Sequence, residues 1–316
     1  MKTEETKSIL TLALMAAFAD GLKDERERAA VKQVADALGG ESDVDLPALF
    51  RDVLLSKPDL AQVVAPLQTP ELRQYAFEMA VGVANSDGAQ NAEETQFLQR
   101  LATALQVPAA KASEASAQAG AVASAASDAP QAPPVAGTVL GKPSLSQAEC
   151  DKLILDASIT NAALEILPES IATMAIIPLQ LRLVYRIGKS HGYAMDMSHA
   201  KDFVATLGIG LTGQYLEQFG RKLLGGLLGG LAGGLGRSLG RQAASSGMAF
   251  ATTYALGRVA QRYYASGRTL DTTALKETFT ALLAEARGLA PQYRQQIEQA
   301  ASTIDTRNLA SLIKQV

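Results

Sequence analysis

The sequence predicts an all-α protein of two helical modules on a tether, and three observations carry that expectation. Of 316 residues, 47% are hydrophobic and 19% charged, which excludes wholesale disorder, while aromatics are 5% with no Trp. A composition rich in Ala and Leu and poor in aromatics favours helices over a sandwich or barrel. Apolar residues recur at helical spacing, as at Val31, Val34, Ala35 and Leu38. Lastly, the first third of the chain repeats itself.

The repeat has an offset of 67 positions. Ala13, Ala17, Asp20, Gly21, Glu27, Ala35, Ala37 and Leu38 recur as Ala80, Ala84, Asp87, Gly88, Glu94, Ala102, Ala104 and Leu105. Apolar positions between the identities stay apolar, as in Leu12/Met79, Leu14/Val81, Val31/Leu98 and Val34/Leu101. Each copy reads as an apolar helix, an Asp-Gly turn and an amphipathic helix. Asp24 and Asn91 stand three residues before Glu27 and Glu94, the N-cap and N3 positions of a capping box. Gly21 and Gly88 supply the permissive backbone that ends the preceding helix.

Two readings of these acidic turns stay open. In one, the acids only cap helices and complement the helix dipole. In the other, both turns converge, and hard carboxylates gather a divalent cation such as Ca²⁺ or Mg²⁺. The twelve-residue loop of an EF-hand is missing.

The twin Asp-Gly turns, each with a Glu seven residues after the Asp, resemble the TerB-like (tellurite-resistance) helical domain over residues 4–107. The resemblance implies an all-helical domain linked to tellurite and related stress phenotypes and often fused to other modules. It also implies a metal-binding acidic surface, whose candidates here are Asp20, Glu27, Asp87 and Glu94. Asn91 stands where the first copy has Asp24, one charge fewer.

Charge separates the rest. The net charge is −7 over residues 1–107, −1 over 108–149 and +5 over 150–316, giving −3 for the chain. Pro108–Gly137 holds thirteen alanines in thirty residues, with almost no large apolar side chain. Such a stretch buries little, so residues 108–146 are expected to be a disordered Ala/Ser/Pro linker between domains 1–107 and 147–316. Ile9–Ala19 imitates a signal peptide, but Glu4 and Glu5 spoil its basic flank. Cleavage would also delete a helix whose copy lies at 76–86, so the chain is expected to stay in the cytoplasm.

The second domain is basic and glycine-patterned. Phe203–Gly257 holds 14 of the 26 glycines. Gly225, Gly229 and Gly233 are spaced by four, as are Gly226, Gly230 and Gly234. Small residues at that spacing let a second backbone approach closely, so a glycine-zipper helical hairpin and self-association through its glycine face are candidates. The uncharged runs Leu223–Gly236 and Gln242–Gly257 are shorter than the roughly 20 residues a spanning helix needs. No acid lies between Glu217 and Asp271, yet Arg221, Lys222, Arg237, Arg241, Arg258, Arg262 and Arg268 do. Cations beside apolar helices suit an anionic lipid surface at the cytoplasmic side of a bacterial inner membrane. The alternative is a soluble helical core with arginines snorkelling at its rim. Nucleic acid is not the expected partner.

Ordered strings in this domain, among them Ile177-Pro178-Leu179-Gln180, Tyr185-Arg186-Ile187-Gly188 and Ala251-Thr252-Thr253-Tyr254-Ala255-Leu256-Gly257, resemble the YcjF-type domain over about 150–285. That resemblance implies association with a membrane or with a separate Era-like GTPase, and no established chemistry.

No enzyme is expected, and no catalytic residue is nominated. Gly208-Ile209-Gly210-Leu211-Thr212-Gly213 matches a dinucleotide fingerprint, but no acid follows at about twenty positions. Gly137–Lys142 imitates a P-loop with one residue missing and Pro143 where Ser or Thr binds Mg²⁺. The single Cys150 excludes an internal disulfide and reads as a packed thiol. His191 and His199 read as loop and helix-start residues. A hydrolase using the paired carboxylates would require an enclosed pocket with raised pKa values. The expected function is a membrane-associated stress-response adaptor with a divalent-cation site. The rival is a soluble regulatory partner of an Era-like GTPase, and a stress-complex protein is a further candidate partner.

Overall fold

The computed structural model describes residues 3–19, 45–56, 58–86, 90–127, 143–167, 170–209, 213, 218 and 239–315. Every regular element among them is helical, with no strand, as the composition predicts. In chain order the helices are α1 (Thr3–Ala17), α2 (Leu46–Ser56), α3 (Leu60–Val64), α4 (Pro70–Ala84), α5 (Ala92–Ala104), α6 (Ala109–Ser127) and α7 (Gln147–Ile166). They continue as α8 (Ser170–Met174), α9 (Ile176–Ser190), α10 (Met197–Thr206), α11 (Leu239–Ala265), α12 (Thr272–Leu289), α13 (Arg294–Thr303) and α14 (Leu309–Gln315). Short 3₁₀ turns sit at Ala290–Tyr293 and Thr306–Asn308.

The chain divides into two units: Met1–Ser124 with Pro168–Met174 and Gly210–Gln242, and Ala125–Leu167 with Ala175–Ile209 and Ala243–Val316. In the first, α1 and α4 pack against one another. Their bounds differ by the same 67 positions as the sequence repeat. Matched residues are buried in both: Leu12 and Met79, Ala13 and Ala80, Leu14 and Val81, Ala17 and Ala84. Thr69 caps α4 by accepting from Leu72 N, and Pro70 takes the first helical position, where its missing N–H costs nothing. Arg73 fastens the preceding turn, its Nε donating to Leu67 O at 2.7 Å. α5 closes against α4, and its Phe97, Leu98 and Leu101 are buried.

Ala109–Ser127, expected as part of the 108–146 linker, is a 19-residue helix. Alanine is the best intrinsic helix former, and no proline interrupts this stretch. Ala119, Val122, Ala123 and Ala125 on it are buried. The remainder, 128–142, lies outside the described residues.

In the second unit α11 is buried on nearly every side from Ala249 to Tyr264. Phe250 stacks on Tyr254 and on Tyr293, with centroids 6.0 and 5.4 Å apart. Around Phe250 gather Ala162, Ala163, Ala290 and Ile297. Gly257 permits close approach: a Cβ there would lie 2.9 Å from Ile154 and 3.1 Å from Leu183. α11 ends in a turn with Gly267 and Arg268 at φ 76° and 64°, closed by Arg268 N donating to Tyr263 O at 2.9 Å. Tyr193, Phe203, Tyr263 and Tyr264 pack over that end, with centroid separations from 5.2 to 6.0 Å.

The helix after Arg268 is amphipathic. Asp271 caps α12, whose Leu275, Leu282 and Ala286 are buried and whose Phe279 and Leu283 are half-buried. Gly208, from the supposed dinucleotide fingerprint, instead takes φ 80° in the turn ending α10.

Candidate functional site

The second acidic turn is the part of the expected metal site that can be described. Asn91 Oδ1 accepts from Glu94 N at 2.8 Å, and Glu94 Oε2 accepts from Asn91 N at 3.0 Å. This is the capping box that the Asn-x-x-Glu spacing predicts, and it starts α5. Glu94 is 0% exposed, whereas neighbouring Glu93 faces solvent. Asn85 ends α4, its Nδ2 donating to Val81 O at 2.7 Å. Asp20, Glu27 and Asp87 lie outside the described residues. Among the described residues no group of three or more His, Cys, Asp or Glu side chains is placed to hold a metal.

Sequence reasoning missed a second polar feature of this unit. Tyr75, on α4, is buried and its hydroxyl has no hydrogen-bond partner among the described residues. Burial, then the Glu78 charge, pushes the phenol well above its ordinary range. An aromatic at that position reads as core, and only a structure reveals that its hydroxyl lacks a partner.

The basic residues nominated for lipid divide into those described and those not. Arg221, Lys222 and Arg237 lie outside the described residues, as do the Arg241 side chain and Gly225, Gly226, Gly229, Gly230, Gly233 and Gly234. Arg262 is exposed. Arg258, counted above among cations with no acid nearby in sequence, has one in space: its Nη1 pairs with Asp151 Oδ1, 107 positions away. Its Nε and Nη2 also donate to the Tyr254 hydroxyl at 3.1 and 3.0 Å, and Nη1 to Gln261 Oε1 at 3.1 Å. Burial works against the Arg258 charge, but Tyr254 and Asp151 outweigh it and raise its pKa. Arg268 lies over the Tyr193 and Tyr263 rings at 5.8 and 5.9 Å.

The remaining reactive groups are structural where they stand. Cys150 is buried, and that burial raises its thiol pKa despite a hydrogen bond from Gln261 and the nearby Arg258. His191 closes α9, with Nδ1 2.9 Å from Ile187 O. His199 sits at N3 of α10, where Asp196 Oδ1 accepts from His199 N at 3.0 Å and from Ser198 Oγ at 2.7 Å. Ser, His and Asp thus meet here as a helix cap: the serine donates to the aspartate and not to the imidazole, so it is not an activated nucleophile. Burial pushes the Asp196 carboxyl up, but the His199 and Ser198 hydrogen bonds and the His199 ring prevail and hold it low.

Apolar length gives one further candidate, which the glycine-centred sequence reading did not nominate. Ser170–Ser190 is long and apolar enough to cross a membrane, the only such segment among the described residues. Yet 83% of its most apolar stretch is buried within the protein. Pro178 breaks it near Ala175, because the ring removes an N–H and clashes one turn back.

Residues 6–117, somewhat over a third of the chain, match the family model of tellurite resistance protein TerB. The match runs into α6, ten residues past the boundary drawn at 107. It gives no support to the YcjF-type resemblance of 150–285. No curated protein and no solved structure matches the chain. The chain is therefore similar to TerB over its first α-helical region.

Proposed function

We propose that the chain is a non-enzymatic, membrane-associated adaptor for stress responses whose TerB-like domain binds a divalent cation. The match over 6–117 carries this reading. Asp20, Glu27, Asp87 and Glu94 are the proposed ligands, all oxygen donors of the kind Ca²⁺ and Mg²⁺ prefer. The buried Glu94 supports it, since a ligand carboxylate withdrawn from water keeps its geometry and a bound cation offsets its desolvation. In this reading capping and ligation share one side chain, with Oε2 engaged by Asn91 N. Arg221, Lys222, Arg237, Arg241 and Arg262 are the proposed contacts to anionic lipid, and the glycine repeat at 225–234 the proposed packing face.

The test is thermal. The full chain with millimolar Ca²⁺, Mg²⁺ or Zn²⁺ should melt higher than with chelator, by mass action on the folded state. Asp20→Asn/Asp87→Asn should lose that shift. An unchanged melting temperature at millimolar metal would reduce the acidic turns to helix caps.

A second reading is favoured by one observation. The apolar Ser170–Ser190 segment is largely covered by protein, as a soluble partner of a separate Era-like GTPase would have it. Carbonate-washed membrane fractionation separates the two. Retention in the washed membrane supports the adaptor at the inner membrane. Full recovery in the soluble fraction with GTPase-dependent co-purification supports the regulator.

A further inference from the structure

Helix α9 meets its surroundings through cations. Of its 15 residues, every one is buried except Arg182, Arg186 and Lys189. The two arginines are half-buried and the lysine is exposed. They stand at i, i+4 and i+7, so they share one face of the helix over about 10 Å of its length.

Nothing acidic in the surrounding elements balances them. Neither α9, nor α14 packed against it, nor α6 from Gly120 to Ser127 contains an Asp or Glu. What Arg182 touches is backbone at two helix ends: Nη2 donates to Lys314 O at 3.1 Å and Nη1 to Ala125 O at 3.5 Å. These carbonyls carry only partial negative charge. They hold the guanidinium in one place, and its enclosed Nε has no acceptor among the described residues. Lys189 Nζ lies 5.5 Å from the centre of the Tyr185 ring, one turn back on the same helix. Like charges one turn apart repel. Burial, then the Arg182 charge, pushes the Arg186 guanidinium below its ordinary range. An anion seated on this face would offset both effects.

We propose that Arg182, Arg186 and Lys189 form a binding site for a phosphate monoester or inorganic phosphate. A carboxylate offers one charge and two oxygens, whereas a phosphate monoester offers about −1.5 to −2 and three acceptor oxygens. That matches two planar forks and one ammonium along a single helix face. The phosphate comes either from an anionic lipid headgroup or from solution. The site is separate from the cations at 221–262 and rests on neither the divalent-cation reading nor the glycine repeat.

Two measurements on the full chain test it. Calorimetry at constant ionic strength follows inorganic phosphate, and flotation follows vesicles of phosphatidylcholine with or without phosphatidic acid. Arg186→Gln/Lys189→Gln is the comparison, because Arg182 also holds α14. At least one phosphate source should bind, and the double variant should bind it at least about ten-fold more weakly, as the loss of two charge-assisted contacts implies. Saturable binding of inorganic phosphate supports a site for soluble phosphate, and binding to phosphatidic acid vesicles alone supports a headgroup site. Arg182→Lys, which keeps the charge but not the fork, should also weaken binding. If the double variant does not fold, the exposed Lys189→Gln carries the same outcomes. Binding to neither source would overturn the proposal. So would equal binding by parent and double variant, which for vesicles would leave the lipid contacts at 221–262 standing.

Discussion

Two helix seams, one in each unit, solve the same problem by different means. The α1–α4 seam joins helices that match at an offset of 67, and aliphatic side chains such as Leu12, Leu14, Met79 and Val81 fill it. The α7–α11 seam combines the close approach at Gly257 with the buried polar groups of Asn161, Thr253 and Glu165. Large side chains interdigitate and specify alignment by shape. At Gly257 the missing side chain makes room for Ile154, and the buried hydrogen bonds add to that alignment. The two seams thus differ in chemistry: aliphatic interdigitation between α1 and α4, and a glycine notch flanked by buried hydrogen bonds between α7 and α11.

The comparison can be broken at either seam. Leu12→Ala should cost about 2–5 kcal/mol, because it opens a cavity at a position with no exposure. Denaturant unfolding of the full chain checks it, and a cost under about 1 kcal/mol would show that the α1–α4 seam collapses to fill the space. Gly257→Ala should cost about 1–3 kcal/mol by overpacking, although alanine is the better helix former. Ile154→Val in that background should recover part of the loss, since Ile154 carries the 2.9 Å approach. Failure to recover would place the strain elsewhere.

Smaller effects compare the two helix caps. Asn91→Ala and Asp196→Ala should each cost about 1 kcal/mol, the usual loss for an N-cap. Their pH dependence should differ. Asp196 is held below its ordinary pKa, so its contribution is present above the unfolded value and is lost as pH falls through the folded one. The gap between the parent chain and Asp196→Ala should therefore close in acid, while the Asn91→Ala gap, resting on an amide, should persist. The smallest effect is expected at the exposed Arg294–Glu298 pair, where Arg294→Ala should change stability by no more than about 0.5 kcal/mol.

Much of the fold was legible because its rules are local. Apolar periodicity, the offset of 67 and the Asn91-x-x-Glu94 spacing are written within a few turns of chain, and the helices and cap appear where they predict. His191 and His199 fall at a helix end and a helix start for the same reason. α6 was misread because a run of alanines has the composition of a tether and the propensity of a helix. The Asp151–Arg258 pair, 107 positions apart, was illegible because sequence shows no acid near Arg258, while the fold supplies one. The buried hydrogen bonds at Thr253 were hidden likewise: Asn161, Gln180 and Thr253 are unremarkable polar residues until three helices bring them together. Of the four nominated cation ligands, only Glu94 falls among the described residues, in the capping role that its spacing gives.

The most direct test of the proposed function is the stoichiometry of cation binding. Equilibrium dialysis of the full chain against Ca²⁺ and Mg²⁺, beside Asp20→Asn/Asp87→Asn, measures it without depending on stability. One divalent cation per chain should bind saturably, and the double variant should lose that binding while its helical content is retained. Absence of saturable binding at millimolar cation, or equal binding by the double variant, would contradict it.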